Sequence, residues 1–580
     1  MLILKRILVF LIIFSITVCS ISCKTNSSSS SSDTGSSSSS EMSVGDSSGS
    51  NDDHEHNYSA RSYTIATCTK EGTKAHYECT VCGKLFVLNG ERYVETTAEA
   101  LATPKFKHKY TREVPDEKYF VSEATEDTPR VFKKSCVCGA VEDGDAAQTF
   151  TAGKALKEYQ NVDKTLYKPT SLTVTLYDAA DCVYGFTWNT VEYPAMATVE
   201  YCEGNTITES NQKAIAVTEE VSSYALVNNK DEKITYYVTK ARVKLKPDTV
   251  YTYRVGDGYL GVQSEDVTIK TVKPATEKFR FAHVSDSQSG TIANGKGTGE
   301  YYRRTLSAIS NDGSDFIVHT GDVVEYSKYE SFWTEMLDSN FEYLSKIPVM
   351  AIAGNHETTY FGRAGESETY KHFYYNTPEQ DVAQGFYYSF SYGNVKFIML
   401  NTNRLLNDRL TTDQYKWLES ELKNKTEKWT IVTLHNPIYS VGKYGADPSH
   451  NGTSVVLKSQ LADLFARAKV DIVLQGHDHC VSRTFPIGVG GVVAAEIEED
   501  IGGIKYTKNP DGVLYLMNGP AGNQARTITA CDENIYAYGQ KSNICSWAEF
   551  DVEGDTIIVS VKYYDGGVKE YCKWGIKKTA

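Results

Sequence analysis

The sequence predicts a multidomain protein in which a layered α/β domain follows an all-β sandwich and a small cysteine-rich region. From residue 276 to 580, short apolar segments alternate with amphipathic helical segments, as in layered α/β folds. Residues 167–275 alternate apolar and polar side chains with the period of two that is typical of half-buried strands. Residues 54–150 concentrate cysteine and histidine. A chain of 580 residues is also too long for a single apolar core.

The N-terminal residues 1–23 predict an export signal. Lys5 and Arg6 precede an apolar run at residues 7–18, which is short for a membrane span and has the length of a signal-peptide core. A Ser-Ile-Ser sequence then leads to Cys23 and resembles the bacterial lipobox, whose cysteine becomes lipidated. We therefore expect an extracellular protein, either a cell-surface lipoprotein of a bacterium or a secreted protein.

A linker of low complexity follows at residues 24–53, which are almost all Ser, Asp, Gly and Asn. Such a composition cannot bury enough apolar area to offset chain entropy, so we expect disorder there. Membrane contact is expected only through the N-terminal lipid. The formal net charge of -14 argues against nucleic acid as a standing partner.

The Cys/His-rich region contains a degenerate two-copy repeat. The paired motifs are His56-Asn57-Tyr58 with His108-Lys109-Tyr110, and Cys79-Thr80-Val81-Cys82-Gly83 with Cys136-Val137-Cys138-Gly139. Cys68, Cys79 and Cys82, with a nearby histidine, predict a structural zinc site. The second copy has no counterpart of Cys68 and a shorter cysteine spacing, which argues against a second intact site. Disulfides in an oxidising compartment are the open alternative.

The all-β segment has one distinctive turn. Strands are predicted at residues 171–176, 183–188 and 197–201, and residues 245–255 contain a turn followed by a further strand. A turn at Pro247 precedes a strand in which Tyr251 or Tyr253 is placed to reach back, as in the tyrosine corner of immunoglobulin-like sandwiches. The segment resembles a fibronectin type III domain. Cys182 and Cys202 are candidates for a disulfide within it.

The α/β segment provides a crevice where side chains from distant positions meet. Strands are predicted at residues 279–284, 315–319, 347–352, 395–400, 430–434 and 471–474, and helices near 300–310, 328–345, 412–424 and 456–469. In open α/β sheets the ligand site lies beyond the carboxyl ends of the strands.

Five polar motifs stand at such strand ends. They are Asp286-Ser287-Gln288, Gly321-Asp322-Val323-Val324-Glu325, Gly354-Asn355-His356-Glu357, Leu434-His435-Asn436 and Gly476-His477-Asp478-His479. Together they supply ligands for two metal ions. Carboxylate, amide and imidazole ligands suit Mn, Fe, Zn or Co. Two such cations held about 3.5–4 Å apart bind a phosphoryl group and generate hydroxide from water near neutral pH.

Each motif residue has a predicted role. A bridging ligand must share its oxygens between both ions, which suits the Asp322 carboxylate. The first ion is assigned to Asp286, Gln288 and His479, and the second to Asn355, His435 and His477. His356 is not needed as a ligand. We expect it to hydrogen-bond a phosphoryl oxygen or to protonate the leaving oxygen. Arg483, soon after the last motif, is a candidate for phosphate contact.

These motifs, in this order, resemble the calcineurin-like metallophosphoesterase superfamily, and with the preceding sandwich the chain is similar to purple acid phosphatases. The resemblance implies a β-sheet sandwich flanked by helices, and hydrolysis of a small-molecule phosphoester by attack of metal-bound hydroxide. Two positions depart from the pattern. Glu325 stands where purple acid phosphatases have an iron-binding tyrosine, and could ligate a metal or remain a solvated carboxylate. Gln288 stands where many relatives have histidine.

The sequence therefore favours an exported dinuclear-metal phosphoesterase, either a phosphatase or a phosphodiesterase. The alternative is a surface adhesion or binding protein in which the hydrolase domain is subsidiary. The complete ligand set favours the enzyme.

Overall fold

The computed structural model describes most of the chain. The described residues are 54–144, 147–208, 211–227, 230–274, 276, 278–288, 299–358, 372–376, 387–403, 405–406 and 409–579. The export signal and the linker predicted for residues 1–23 and 24–53 lie outside these residues. No helix within the described ranges is long and apolar enough to cross a membrane. The described residues divide into two compact units, one from residues 54–65 and 72–103 and the other from residues 66–71 and the described residues after 103.

The first unit is a small sheet with one helical turn. Its elements are β1 (Tyr58–Arg61), β2 (Gly72–Thr73), β3 (His76–Cys79), β4 (Leu85–Asn89), β5 (Arg92–Thr96), α1 (Ala98–Leu101) and β6 (Ala102–Thr103). Four strands form an antiparallel sheet in the order β1-β3-β4-β5, and β2 pairs with β6. Within the described part of this unit, the buried apolar side chains are Cys79, Phe86 and Leu101. This is a very small apolar core for a compact structure.

The zinc ligands predicted from sequence are divided between the two units. Cys79 ends β3 and Cys82 follows it in the first unit, whereas Cys68 lies on residues 66–71, which belong to the second unit. There Cys68 Sγ lies 3.6 Å from Cys136 Sγ. The predicted grouping of Cys68 with Cys79 and Cys82 is therefore wrong. Nearness in sequence did not reveal that the chain passes from one unit to the other between these cysteines.

The second unit contains a three-stranded antiparallel sheet near its start. Its strands are β7 (Phe120–Ser122), β8 (Arg130–Lys133) and β9 (Thr149–Ala152). Arg130 is buried, its Nη1 donates to the Ala216 carbonyl at 2.8 Å, and its Nε donates to the Glu123 carboxylate at 2.7 Å. The bond to Ala216 attaches the sheet to the segment that follows, whereas Glu123 lies between β7 and β8.

Two antiparallel sheets make up the next segment. The strands are β10 (Thr170–Asp178), β11 (Val183–Thr190), β12 (Ala197–Glu203), β13 (Gln212–Ile215), β14 (Val217–Val227), β15 (Lys230–Lys244), β16 (Val250–Asp257), β17 (Val262–Gln263) and β18 (Val267–Lys270). One sheet has the order β10-β11-β15-β14. The other has the order β13-β12-β16-β17, with β18 also paired to β16. Val174 and Trp188 of the first sheet and Val199 and Val255 of the second are buried in one apolar cluster.

The two candidate tyrosines of this segment have different partners. The Tyr251 hydroxyl accepts a hydrogen bond from the Lys246 N–H at 3.4 Å, which is the expected reach back to the preceding turn. The Tyr253 hydroxyl donates instead to the Ser345 carbonyl of the α/β segment at 2.5 Å. Tyr253 therefore joins the two segments.

The disulfide considered between Cys182 and Cys202 is not formed. None of the eleven cysteines in the described residues takes part in a disulfide. Cys182 is buried in the apolar cluster between the sheets. Cys202 Sγ lies instead 2.9 Å from the Thr206 carbonyl, to which it donates.

The α/β segment contains two mixed sheets. Its strands are β19 (Lys278–Val284), β20 (Phe316–His319), β21 (Val349–Ala351), β22 (Tyr388–Tyr392), β23 (Val395–Met399), β24 (Leu405–Leu406), β25 (Arg409–Leu410), β26 (Trp429–Thr433), β27 (Ile472–Gln475), β28 (Cys480–Thr484), β29 (Glu498–Ile501), β30 (Ile504–Lys508), β31 (Leu514–Asn518), β32 (Tyr536–Lys541), β33 (Ser546–Glu553), β34 (Thr556–Tyr564) and β35 (Val568–Lys577). Its helices are α2 (Glu300–Asp312), α3 (Glu330–Asp338), α4 (Phe341–Leu344), α5 (Thr412–Asn424), α6 (Lys443–Ala446) and α7 (Gly452–Arg467). All six predicted strands are confirmed.

The topology brings the ends of five parallel strands to the site. One sheet has the order β21-β20-β19-β33-β34-β35-β30-β29, in which β19, β20 and β21 are parallel. The other has the order β22-β23-β26-β27-β31-β28-β32, in which β26 and β27 are parallel. Aromatic rings pack between the sheets, with Phe281 and Phe397 centroids 5.2 Å apart and Phe316 and Phe397 centroids 5.6 Å apart. This apolar layer fixes one set of strand ends against the other.

One predicted helix is divided. The sequence predicts a helix over residues 328–345, but the structure has α3 and α4 separated at Ser339 and Asn340. Asn340 leaves the helical conformation with φ -113° and ψ 12°. Its buried Nδ2 donates to the Met336 carbonyl at 2.7 Å. The amide thus satisfies a carbonyl at the end of α3, which a continuous helix would have paired with a backbone N–H.

Replacement of Tyr253 by phenylalanine should destabilise the protein by about 1–3 kcal/mol, because the buried Ser345 carbonyl would lose its donor. Urea unfolding measures the change. Tyr259→Phe is the control, since that side chain is 40% exposed. Equal stability of the two variants would show that the bond between the segments contributes nothing.

Candidate metal centre

The polar motifs lie where five strands end. Asp286 follows β19, Asp322 follows β20, Asn355 and His356 follow β21, His435 follows β26, and His477 and His479 follow β27. Four of these residues have left-handed backbone conformations, with φ 54° at Asp286, 56° at Asp322, 77° at His477 and 47° at His479. Each costs about 1–3 kcal/mol in a residue other than glycine. Strain of this kind, at residues that converge from separate strands, indicates a functional site.

Carboxylates and imidazoles form two groups that share one residue. The first group contains Asp286, Asp322 and His479, and the second contains Asp322, His435 and His477. Within each group the ligand atoms lie within 4.8 Å of one another. His479 Nε2 is 3.0 Å from Asp286 Oδ1, and His435 Nε2 is 3.2 Å from Asp322 Oδ2. The shared carboxylate is Asp322, the residue predicted to bridge.

Backbone carbonyls orient two of the imidazoles. His435 Nδ1 lies 2.8 Å from the Thr320 carbonyl, and His479 Nδ1 lies 2.5 Å from the Gln524 carbonyl. Each Nδ1–H therefore donates to the backbone, and Nε2 is directed at a carboxylate with its lone pair available. Among the described residues, the buried Nε2 of His479 makes no hydrogen bond of acceptable geometry, although Asp286 Oδ1 lies 3.0 Å away. Such an atom fits a metal ligand better than a hydrogen-bonding group.

The charges at the site also fit cations. Burial opposes ionisation of Asp322, but the neighbouring His435 and His356 hold its pKa well below the usual value. Burial lowers the pKa of His435, whereas the Asp322 and Asp286 carboxylates raise it to about 9. Burial and the neighbouring His435 lower the pKa of His477 to about 3. The opposite shifts of Asp322 and His435 are those of an ion pair, and a divalent cation in place of the His435 proton would supply the positive charge that two buried carboxylates need.

The two predicted amide ligands also reach the site. Asn355 Oδ1 lies 3.0 Å from His435 Nε2, next to Asp322. Gln288 is buried, and in the amide orientation that satisfies its neighbours its nitrogen donates to the Asp286 and Asp322 backbone carbonyls at 3.2 and 2.8 Å. These bonds orient the Gln288 amide, so that its oxygen is the atom left to bind a cation. All seven predicted ligands thus lie in one region.

His356 lies beside the two groups. Its Nδ1 lies 2.6 Å from the Glu325 carbonyl, its backbone N–H donates to Asp322 Oδ1, and its Nε2 is 3.9 Å from Asp322 Oδ2. Burial lowers the pKa of His356, but the Asp322 charge and the bond to Glu325 outweigh it and raise the pKa. A protonated Nε2 beside the shared carboxylate is suited to donate to a substrate oxygen.

Glu357, the last residue of the third motif, joins backbone groups of the site. It is fully buried, and its carboxylate accepts the backbone N–H groups of Asp322, Val323 and Gly354 at 2.7, 2.9 and 2.8 Å. Burial, with the Asp322 charge, raises the pKa of Glu357 to about 7 although these N–H donors lower it. Glu357 joins the two loops that carry Asp322 and Asn355.

The same two loops approach so closely that they require glycine. A Cβ atom on Gly354 would lie 2.0 Å from Asp322 Oδ1, and one on Gly321 would lie 2.4 Å from the Gly354 nitrogen. Gly321 also has a φ of 92°. Gly321 and Gly354 are therefore needed for the close approach of the two loop backbones.

Three side chains at the site were not identified from the sequence. Gln524 Nε2 donates to the Glu325 carboxylate at 2.6 Å, so the Glu325 carboxylate faces an amide and belongs to neither group of candidate ligands. Arg526 Nη1 donates to the His477 carbonyl at 3.0 Å, and the Tyr444 ring lies 4.1 Å from the His477 ring. Gln524 and Arg526 follow β31, a strand that was not predicted from the sequence.

Arg483 does not take the phosphate-contact position considered for it. It is buried on β28, its Nη1 donates to Glu496 at 2.9 Å, and its guanidinium lies 4.6 Å from the Trp574 ring centroid. Arg526 is the guanidinium that lies beside the candidate ligands.

Comparison with known proteins agrees with this geometry. Residues 279–481 match the family model described as Calcineurin-like phosphoesterase. Purple acid phosphatase 21 of Arabidopsis thaliana is 28% identical over 291 residues, which cover 48% of this chain and 57% of the relative. Purple acid phosphatase 22 of the same plant is 29% identical over 278 residues, covering 46% and 57%. The chain spans a little over half the length of these curated relatives.

A solved structure shows the same fold. The purple acid phosphatase PPD1 from yellow lupin (Lupinus luteus) seeds has a TM-score of 0.58 at 17% identity, covering 78% of this chain and 80% of that one. The chain therefore carries a calcineurin-like metallophosphoesterase domain, and the matched residues contain all five motifs. Its relatives include the purple acid phosphatases, as the resemblance of the motifs implied.

Replacement of Gly354 by alanine should lower the affinity for Mn²⁺ more than about tenfold, because the new methyl group would displace Asp322. Manganese is used because thiolates compete poorly for it. Titration followed by metal analysis measures the effect, and circular dichroism verifies folding. Gly452→Ala is the matched control, since its methyl would meet nothing within 4 Å. Unchanged Mn²⁺ binding by the Gly354 variant would contradict the described approach of the two loops.

Proposed function

We propose that this chain is an exported phosphoester hydrolase that uses two divalent cations. The observation that carries the proposal is the position of Asp322 in both groups of candidate ligands. A single carboxylate with an imidazole group on each side is suited to hold two cations close together, and one cation would not need this arrangement.

The proposed ligands follow the two groups. Asp286, Gln288 and His479 would hold one cation, and Asn355, His435 and His477 the other, with Asp322 shared between them. When bound, two such cations lower the pKa of a water molecule and stabilise negative charge on phosphoryl oxygens. The chain itself contributes fixed imidazole orientations, since Thr320 and Gln524 hold the Nδ1 atoms of His435 and His479.

His356 is the proposed catalytic residue. The Glu325 carbonyl holds its Nδ1–H, and the Asp322 charge favours the protonated ring. Its Nε2–H would then bind a phosphoryl oxygen of the substrate or deliver a proton to the leaving oxygen. Arg526 supplies a further positive charge beside His477. Such a site fits a small phosphoester, either a monoester or a diester.

We also propose identities for the other parts of the chain. Residues 167–275 are assigned as a fibronectin type III-like domain, supported by two antiparallel sheets and by the bond from Lys246 to Tyr251. Residues 276–580 are assigned to the hydrolase and residues 54–150 to the Cys/His-rich region. The composition of residues 1–23 supports export, with lipid attachment at Cys23, and that of residues 24–53 supports a linker.

Replacement of Asp322 by alanine should remove both Mn²⁺ ions and reduce hydrolysis of an aryl phosphate more than about 100-fold, because both cations lose a ligand. Metal analysis and a Mn²⁺-dependent rate assay measure the two effects. Asp565→Ala, at an exposed carboxylate, is the control. Full activity of the Asp322 variant would end the proposal. A wild-type protein with fewer than one Mn²⁺ would favour the alternative, a surface-binding protein with a subsidiary hydrolase domain.

Replacement of His356 by glutamine should slow hydrolysis about 10²–10⁴-fold while Mn²⁺ content is kept, since His356 is not a proposed ligand. If His356 protonates the leaving oxygen, the substitution should slow the hydrolysis of alkyl phosphates more than that of aryl phosphates, because aryl leaving groups need no proton. An equal loss for both would assign His356 to the phosphoryl oxygen alone. An unchanged rate for both substrates would exclude any catalytic role.

A further inference from the structure

Two groups of cysteine and histidine side chains lie outside the phosphoesterase site. The first contains His54, His56, Cys79 and Cys82, and the second contains Cys68, His108, Cys136 and Cys138. In each group the four ligand atoms lie within 4.8 Å of one another. The first group lies wholly in the first compact unit and the second wholly in the second unit. The two groups therefore share no residue.

The distances within both groups match a tetrahedral zinc ion. Zinc bonds of about 2.3 Å to sulfur and 2.0–2.1 Å to nitrogen give tetrahedron edges of about 3.6 Å from sulfur to nitrogen and about 3.8 Å between sulfurs. Cys79 Sγ lies 3.6 Å from His54 Nε2, and Cys82 Sγ lies 3.6 Å from His56 Nδ1.

The second group shows the same spacing. Cys68 Sγ lies 3.6 Å from Cys136 Sγ, and Cys138 Sγ lies 3.3 Å from His108 Nδ1. A disulfide would need sulfurs about 2.05 Å apart and would give no reason for a histidine to converge with them. Four converging donors at these distances fit a metal.

The backbone around the two cysteine pairs is alike. Each pair is followed by a glycine with positive φ, Gly83 at 73° and Gly139 at 80°. The Gly83 N–H donates to the Cys79 carbonyl at 2.9 Å, and the Gly139 N–H donates to the Cys136 carbonyl at 2.9 Å. Both tight turns direct two sulfurs to the same side, although one pair has two intervening residues and the other has one. The shorter spacing in the second copy thus leaves the turn intact.

The first unit needs such an ion for its stability. Its buried apolar side chains, within the described residues, are Cys79, Phe86 and Leu101, and Cys79 is itself one of the four donors. Folded structures of about 40 residues usually need disulfides, metals or association. The described cysteines form no disulfides. A bound ion would therefore supply much of the folding free energy of this unit.

We propose that each group binds one structural Zn²⁺, through two thiolates and two imidazoles in the first unit and three thiolates and one imidazole in the second. Soft thiolates with imidazole in tetrahedral arrangement select zinc, and four protein ligands leave no open position for a substrate. Both ions are structural. In the second unit the ion would also fasten residues 66–71, through Cys68, to the turn at Cys136.

Zinc analysis of the full chain with matched variants tests this proposal. Cys82→Ser and Cys138→Ser should each lower bound zinc by one ion per chain. Cys531→Ser, whose thiol belongs to neither group, should leave it unchanged. The Asp322→Ala background removes the proposed phosphoesterase cations, so that the remaining two ions are counted alone. Unchanged zinc content in both cluster variants would overturn the proposal.

A second measurement leaves the cysteine and histidine groups unaltered. X-ray absorption at the zinc edge of the Asp322→Ala protein should show sulfur at about 2.3 Å in a mixed sulfur and nitrogen shell. A shell with no sulfur, or an intact mass that shows disulfides at these cysteines, would exclude zinc at the two groups. Hydrogen exchange in residues 54–65 and 72–103 should rise when a chelator removes the ion, and unchanged exchange would exclude the structural role.

Discussion

The buried Glu357 carboxylate holds the candidate site together. It accepts backbone N–H groups from both the loop after β20 and the loop after β21, and so fixes the two loops against each other. Gly321 and Gly354 make that approach sterically allowed. Because the Glu357 carboxylate binds backbone N–H groups of both loops, the fold positions the Asp322 carboxylate without a bound cation. This preorganisation lets one carboxylate serve two groups of ligands.

The packing of the surrounding sheets holds the strained residues of the site in place. Four site residues adopt left-handed backbone conformations, and two buried carboxylates lie side by side. Such features persist only where the surrounding structure determines them. Two sheets packed through Phe281, Phe316 and Phe397 supply that rigidity, and each sheet contributes strand ends to the site. The carbonyls of Thr320 and Gln524 then set the direction of His435 and His479.

Local pattern predicted the elements and the residues that converge at the site, but not their distant partners. Apolar runs followed by glycine and polar residues located the six strands, and motif chemistry located Asp322 and the imidazoles. The role of Glu357 depends on backbone groups more than thirty residues away, which periodicity does not encode. Gln524 was not identified because β31, the strand that precedes it, was not predicted. Cys68 was assigned to the wrong cluster because the chain changes units between Ile65 and Ala66 and again between Glu71 and Gly72.

Electron paramagnetic resonance of the Mn²⁺-loaded protein tests the shared carboxylate most directly. Two ions that shared the Asp322 carboxylate would be close enough for their electron spins to couple, and the spectrum should then change from that of isolated Mn²⁺ to that of a coupled pair as the second ion binds. The account predicts this coupled spectrum at two ions per chain. A spectrum of isolated Mn²⁺ at every loading would contradict it, since the ligand groups would then act separately or not at all.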